Sequence, residues 1–228
     1  MGLKVPFLKP GERFPNPLNA RRDGLLAVGN ILSPEMVLEA YQQGIFPWFN
    51  EGEPVMWWSP DPRCVIYPEQ LKVSKSMHKV MKDGVFSVSF DTCFLDVINH
   101  CRFIPRNGQF GTWITDEIVG TYHELHKMGY AHSVEVWQGG TLVGGLYGIS
   151  LGSIFMGESM FSKESNASKF ALISLAQRLM PLGFTMIDCQ LHNAHLESLG
   201  AVEIPRPQFL EELSTGLDSP TWMGTWEF

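Results

Sequence analysis

The 228-residue sequence predicts an α+β fold, a mixed sheet with flanking helices, and three observations carry that expectation. From residue 131 onward, strand-like alternation and helix-like periodicity are interleaved in the order β-β-β-α-β-α-β. The stretch from Phe46 to Tyr67 is instead rich in Pro and aromatic residues, too broken for a helix. With 44% hydrophobic and 18% charged residues, the chain can bury a substantial core and is not a disordered tail. The length suits one large domain or a core domain with a smaller lobe.

Taken in order, residues 1–22 read as an irregular, Pro-rich arm. Ser33 is a good N-cap, Pro34 suits the first helical position, Glu35 favours the first turn and Gly44 can end the helix. Its buried stripe is Met36, Val37, Ala40 and Tyr41. Phe46 to Tyr67 is broken too often by Pro for a helix, and a stiff loop with short extended pieces is expected. Ser74 opens a short helix with Met77, Val80 and Met81 inward and Lys75, Lys79 and Lys82 outward. Phe86 to Phe90 alternates as a strand, and Asp91 is read as the cap of a helix reaching about Cys101. Thr115 caps another, with Ile118, Val119, Tyr122, Leu125 and Met128 as its stripe and Gly129 as its stop. His132 to Trp137, Thr141 to Ile149 and Ser153 to Gly157 read as three strands, the first two joined by a Gly139-Gly140 hairpin. A helix over Ala167 to Leu179, a strand over Phe184 to Gln190, a short helix over Ala194 to Leu199 and a strand from Gly200 to Ile204 complete the series.

That order is the order of the acetyltransferase-like (GNAT) fold. Acyl-CoA-using members of the fold place a Gly-rich loop at the start of the central helix, where backbone N–H groups hold a pyrophosphate. Here the stretch from Glu158 to Asn166 contains no glycine, which argues against acyl-CoA as donor.

Charge and cysteines narrow the classes further. A net charge of −7 excludes a protein that coats nucleic acid by bulk charge, so any such contact needs a local basic patch. The Lys75/Lys79/Lys82 face is the clearest one, and is also an ordinary solvated helix side. Cys64, Cys93, Cys101 and Cys189 form no Cys-x-x-Cys pair, which fits reduced, buried thiols in a cytoplasmic protein. No apolar run is long enough to span a membrane, and the first residues lack the apolar core of a secretory signal.

Among chemistry-bearing residues, Asp188 and Gln190 stand out in Met186-Ile-Asp-Cys-Gln190. On a regular strand Met186, Asp188 and Gln190 point one way, and Ile187 and Cys189 the other. A carboxylate inside an apolar strand needs either backbone partners or a task. The functional alternative is a polar pair facing a cleft, with Gln190 accepting from an amine and Asp188 polarising it. Glu158 follows an apolar strand and reads either as a surface group or as a partner for a substrate cation. Trp48, Trp57, Trp58 and Trp113 lie in Pro- and Gly-rich segments; each is a core residue by default, and a loop Trp also suits stacking on a nucleobase. No Ser/His/Asp order, nucleophile elbow or His-Glu-x-x-His zinc motif is present.

Together these segments resemble the leucyl/phenylalanyl-tRNA–protein transferase family. The stretches that carry the resemblance include Gly24-Leu-Leu-Ala-Val-Gly29, Gly44-Ile-Phe-Pro-Trp48, Trp57-Trp-Ser-Pro-Asp-Pro-Arg63 and Gly111-Thr-Trp-Ile-Thr115. Ala131-His-Ser-Val-Glu-Val-Trp137, Phe155-Met-Gly-Glu-Ser-Met-Phe-Ser162, Asn166-Ala-Ser-Lys169, Ile187-Asp-Cys-Gln190 and Ser198-Leu-Gly-Ala201 continue it, in the family's order across residues 24–206. The resemblance implies a small N-terminal domain joined to a GNAT-like domain, with the N-terminal arm and small domain over 1–63 and the GNAT-like domain over 64–228. It implies transfer of Leu or Phe, less readily Met, from aminoacyl-tRNA to proteins or peptides with N-terminal Arg or Lys. That transfer marks them for N-degron degradation, with no metal or organic cofactor and a monomeric enzyme.

By the same resemblance Asp188 and Gln190 act on the acceptor amine, and Glu158 holds the acceptor or organises the reacting centre. Trp48, Trp113, Tyr122, Leu146, Phe155, Ser162 and Ile187 contact the substrates, and Lys75, Lys79 and Lys82 contact tRNA. The chain departs from the family pattern at Leu146, where Met is usual, at Gly29-Asn-Ile31, in the thinner basic helix, and over 102–110. Two rivals are a related aminoacyl-tRNA–protein transferase with other donor or acceptor choice and an acyl-CoA N-acyltransferase. A third is a non-enzymatic binder of N-terminal degradation signals.

Overall fold

The computed structural model describes residues 5–104 and 112–227. Most of the 102–110 departure, with Gly111, lies outside the described residues.

The N-terminal part is a small sheet in the order β1-β2-β4-β3, formed by β1 (Phe7–Leu8), β2 (Leu25–Gly29), β3 (Phe46–Pro47) and β4 (Val55–Trp58). Helix α1 (Pro34–Gln42) lies against it; Ser33 Oγ accepts from Met36 N at 3.3 Å, and Val37, Ala40 and Tyr41 are buried. Gly44 follows with φ 73°, and a Cβ there would stand 2.5 Å from Leu210, so the turn needs glycine for conformation and for space.

The loop expected over Phe46 to Tyr67 therefore holds three strands, because β5 (Arg63–Ile66) also lies in it. β5 leaves the small sheet and enters a larger one, antiparallel to both β10 (Met186–Gln190) and β11 (Val202–Ile204). All four of its residues are buried, so it has no period-two alternation to read in sequence.

The large sheet runs β11-β5-β10-β9-β8-β7-β6, with β6 (Ser87–Phe90), β7 (Ala131–Gln138), β8 (Thr141–Leu151) and β9 (Ile154–Ser162). Gly139 and Gly140 both take positive φ, as a two-residue hairpin between β7 and β8 requires. β9 extends past the expected end at Gly157 to Ser162, which places Glu158 inside a strand. Next comes α5 (Ala167–Leu179), parallel pairing of β10 with β9, α6 (Ala194–Glu197) and β11, so the acetyltransferase-like succession is observed. Gly144 of β8 lets α5 sit close: a Cβ there would lie 2.5 Å from that of Ala167.

One face of the large sheet packs on α3 (Phe94–Phe103), α4 (Asp116–Lys127), α7 (Arg206–Leu217) and the N-terminal unit; the other packs on α2 (Lys75–Lys82) and α5. Helix α7 has no counterpart among the sequence expectations, although Phe209, Leu213 and Gly216 have helical spacing. Two further expectations need correction. Met128 is 41% exposed because α4 ends at Lys127. Asp91 does not cap α3: with φ 52° it turns inward and accepts from Ser133 N and Trp226 N, both at 2.8 Å, while its Oδ2 bonds His132 Nδ1. The carboxylate at the start of α3 is instead Glu135 of β7, which accepts from the Thr92 and Cys93 N–H groups at 3.4 and 3.5 Å.

Candidate active site

A cavity of about 610 Å³ opens where the N-terminal unit meets the split between β9 and β10. Phe46, Pro47 and Trp48 form one wall, Trp113 approaches ahead of α4, and Leu146, Phe155, Leu172, Ile187 and Leu196 make an apolar end. Glu158, Cys189, Gln190, Asn193 and His195 supply polar groups. Of the residues expected at the site, the cavity brings together Trp48, Trp113, Leu146, Phe155, Glu158, Ile187 and Gln190.

Glu158 points from β9 toward two tyrosines. Tyr41 of α1 donates to its Oε1, and the Tyr41 and Tyr122 hydroxyl oxygens lie 3.5 Å apart. Burial pushes the Glu158 carboxyl up to about 8, with the charge of Asp188 adding, against the lowering effect of both tyrosines and of Arg63. Burial, and then the charge of Glu158, raises both tyrosines well above their ordinary range. Tyr122 thus touches the site by holding Glu158 and does not line the cavity. The sequence places Tyr41 only in a buried stripe. Its hydroxyl is the available signal, because a buried phenol needs a polar partner.

Asp188 sits differently from the sequence expectation. Arg63 Nε and Nη2 donate to its two oxygens at 2.8 and 2.6 Å, and both side chains are at most 1% exposed. The guanidinium is held between the rings of Phe46 and Phe209, at 4.8 and 4.5 Å, and its Nη1 donates to Gly44 O at 3.2 Å. The carboxylate also accepts from Gln190 N at 3.0 Å and is absent from the cavity wall. Arg63 is the buried partner that sequence reasoning misses, although a carboxylate in an apolar strand calls for a cation in another.

Gln190 breaks the alternation expected for β10. The pairing with β5 shifts between Asp188 and Gln190, and Gln190 takes φ 56°. That bulge turns Gln190 to the side of Ile187 and Cys189, so the three line the cavity while Asp188 faces Arg63. The Gln190 amide donates to Asp188 O at 3.3 Å, which leaves its side-chain carbonyl for a ligand.

Two expected groups lie elsewhere. Ser162 Oγ donates to Glu164 O at 2.7 Å and accepts from Ser168 N at 3.2 Å, a cap for α5 rather than part of the cavity wall. Lys75, Lys79 and Lys82 are exposed on α2 and do not line the cavity.

Residues 65–214 match the family described as Leucyl/phenylalanyl-tRNA protein transferase, and residues 30–61 match that family's N-terminal domain. A curated relative of that name from Nitrosospira multiformis is 52% identical over 92% of this chain and 90% of its own. Another from Christiangramia forsetii is 55% identical over 91% of this chain and 99% of its own. The chain belongs to the leucyl/phenylalanyl-tRNA–protein transferase family. Its membership makes it a transferase, and the fold described above is that of an α+β acetyltransferase-like domain carrying an N-terminal unit. Among solved structures, the L-PGS of Bacillus licheniformis overlays with a TM-score of 0.41 at 12% identity, covering 74% of this chain and 54% of that one. Among the described residues no helix is long and apolar enough to cross a membrane.

Proposed function

We propose that the chain moves Leu or Phe, less readily Met, from aminoacyl-tRNA to the α-amine of a protein or peptide beginning with Arg or Lys. The observation that carries this reading is one cavity lined by apolar side chains, Trp48 and Trp113, a partly buried acid and Gln190. An aminoacyl ester is already activated, so the reaction needs positioning and one proton transfer rather than a strong nucleophile.

In this reading Leu146, Phe155 and Ile187 hold the aminoacyl side chain, and Trp48 and Trp113 stack on the terminal adenosine. Apolar side chains of neighbouring size differ by only about 1–3 kcal/mol in such a pocket, hence tolerance of Met. The acceptor amine attacks the ester carbonyl carbon. A C–N bond forms, the C–O bond to the ribose breaks, and the amine proton passes to the leaving ribose oxygen. The Gln190 carbonyl accepts from the amine, and Asp188 acts through Gln190 by holding its backbone N–H. Glu158, supported by Tyr41 and Tyr122, receives the cationic side chain of the acceptor. Lys75, Lys79 and Lys82 contact tRNA phosphates. The enzyme works as a cytoplasmic monomer in N-degron marking, and its two units divide near residue 63.

The test is a transfer assay with Leu-tRNA labelled in the leucine and peptides starting with Arg or Ala. Label on the Arg peptide alone is expected. Silence there, and with Phe-tRNA and a Lys peptide, overturns the proposal in favour of another donor or a binding role.

A further inference from the structure

Two thiols meet in the wall of the cavity. Gln190 pairs with Cys64 and Asp188 with Val65, so Cys189 is the extra residue of the bulge, next to Cys64 on the neighbouring strand. They also share a face: Cys64 and Ile187 belong to the core under α5 and Cys189 packs against it, whereas Val65 and Met186 belong to the opposite core. In a bulge two residues of one strand oppose one of the other, so Cys189 and its neighbour Gln190 together face Cys64 across strands about 4.5–5.5 Å apart at the Cα atoms, and a disulfide spans about 4.4–6.8 Å. Both thiols are free; Cys64 is fully buried, and Cys189 is partly exposed and lines the cavity.

We propose that Cys64 and Cys189 are an oxidisable dithiol whose closure shuts the transferase site. A two-electron oxidant entering by the cavity, such as an azodicarboxamide, is attacked by the Cys189 sulfur and forms a sulfenyl-hydrazine adduct. The Cys64 thiolate then attacks the Cys189 sulfur. The S–S bond forms, the S–N bond breaks, and the oxidant leaves as the hydrazine carrying both protons. The two thiols hydrogen-bond each other, which lowers Cys64 and raises Cys189 and marks their direct contact. Closure draws the bulge toward β5 and shifts Gln190, the neighbour of Cys189. The other cysteines are not so arranged: Cys93 precedes α3, with burial pushing it up to about 12, and Cys101 lies at the far end of that helix.

The effect on transfer rests on the function proposed above; the covalent change does not. Reduced protein is treated with azodicarboxamide, then examined by intact mass, peptide mapping and the transfer assay. The expected result is loss of two hydrogen atoms, a Cys64–Cys189 peptide, and activity reduced about 100-fold, the cost of a displacement on the order of 1 Å. A dithiol reductant restores it. Cys64→Ser keeps its basal activity and retains it after the same treatment. Absence of the linked peptide, full activity in the linked protein, or equal inactivation of Cys64→Ser overturns the proposal. Reduced wild-type protein inactive in transfer counts against the proposed function, and the mass and peptide results still decide whether the dithiol exists.

Discussion

Replacing Asp188 with Asn is expected to weaken the fold before any effect on chemistry is considered. The change keeps the shape of the side chain and removes its charge, leaving Arg63, which is 0% exposed, without its counter-ion. Breaking a buried pair from one side costs about 3–5 kcal/mol. In a chain of this size each kcal/mol moves the midpoint by roughly 2–4 °C, so the expected loss is about 6–20 °C. Arg63→Met should cost a similar amount and in addition leave Gly44 O without its donor, for about 1–3 kcal/mol more. The double variant removes both charges together and should be more stable than the sum of the singles predicts, by about 2–3 kcal/mol. Urea unfolding followed by Trp fluorescence measures all four proteins, and transfer rates are then compared well below the lowest midpoint. If Asp188→Asn loses less than about 1 kcal/mol, or the two changes simply add, the ion pair is not the energetic unit inferred from its geometry.

Three further outcomes can be checked independently. The folded Glu158 carboxyl is raised from 4.5 to about 8, so its stabilising contribution is complete below 4.5 and is lost as pH rises to about 8. Stability should therefore fall across that window by up to about 1.4 kcal/mol per pH unit, and Glu158→Gln should flatten the slope in thermal scans. Trp226 is 3% exposed, stacks on His132 at 3.8 Å and packs behind Phe155. Trp226→Ala should cost about 3–5 kcal/mol and, by opening space behind Phe155, favour Phe over Leu in a competitive transfer assay, with Trp226→Phe milder; an unchanged ratio in both variants removes that role. Replacing Lys75, Lys79 and Lys82 with Ala should raise KM for charged tRNA and flatten its dependence on log salt by about 0.7–0.9 for each phosphate no longer neutralised, whereas an unchanged slope discards α2 as the tRNA surface.

Much of the fold could be read from local signals. Ser33, Ser74 and Thr115 cap the helices expected of them, and α5 has the expected bounds. What stayed hidden depended on contacts distant in sequence. β5 has no alternation because both faces are covered, and its place between β10 and β11 is decided by strands more than a hundred residues later. Asp91 carries the sequence signature of a cap, yet Ser133 and Trp226 claim its oxygens. At the site, residue types were legible and directions were not. A regular strand puts Asp188 and Gln190 on one face, and a single bulge separates them. Without that bulge neither the Arg63 pairing nor the exposure of Gln190 to the cavity could be anticipated.

The charges explain how an acidic chain can work on tRNA. Several cations are already engaged: Arg63 with Asp188, Arg102 with Asp116, Arg21 with Asp23 and Lys127 with Glu124. Lys75, Lys79 and Lys82 are exposed on one short helix, and Lys79 and Lys82 also favour its C-terminal end through the dipole. The cavity adds little attraction for polyanions, since its wall is mainly apolar and its acid is held neutral below about 8. Keeping Glu158 neutral in the free enzyme removes a repulsion against the incoming acceptor end of tRNA. In the proposed function a peptide cation arriving there would restore the charge, because an opposite charge at close range lowers a carboxyl's pKa. Under the proposed function, donor binding would then respond to α2 and to salt, and acceptor binding to Glu158 and to pH.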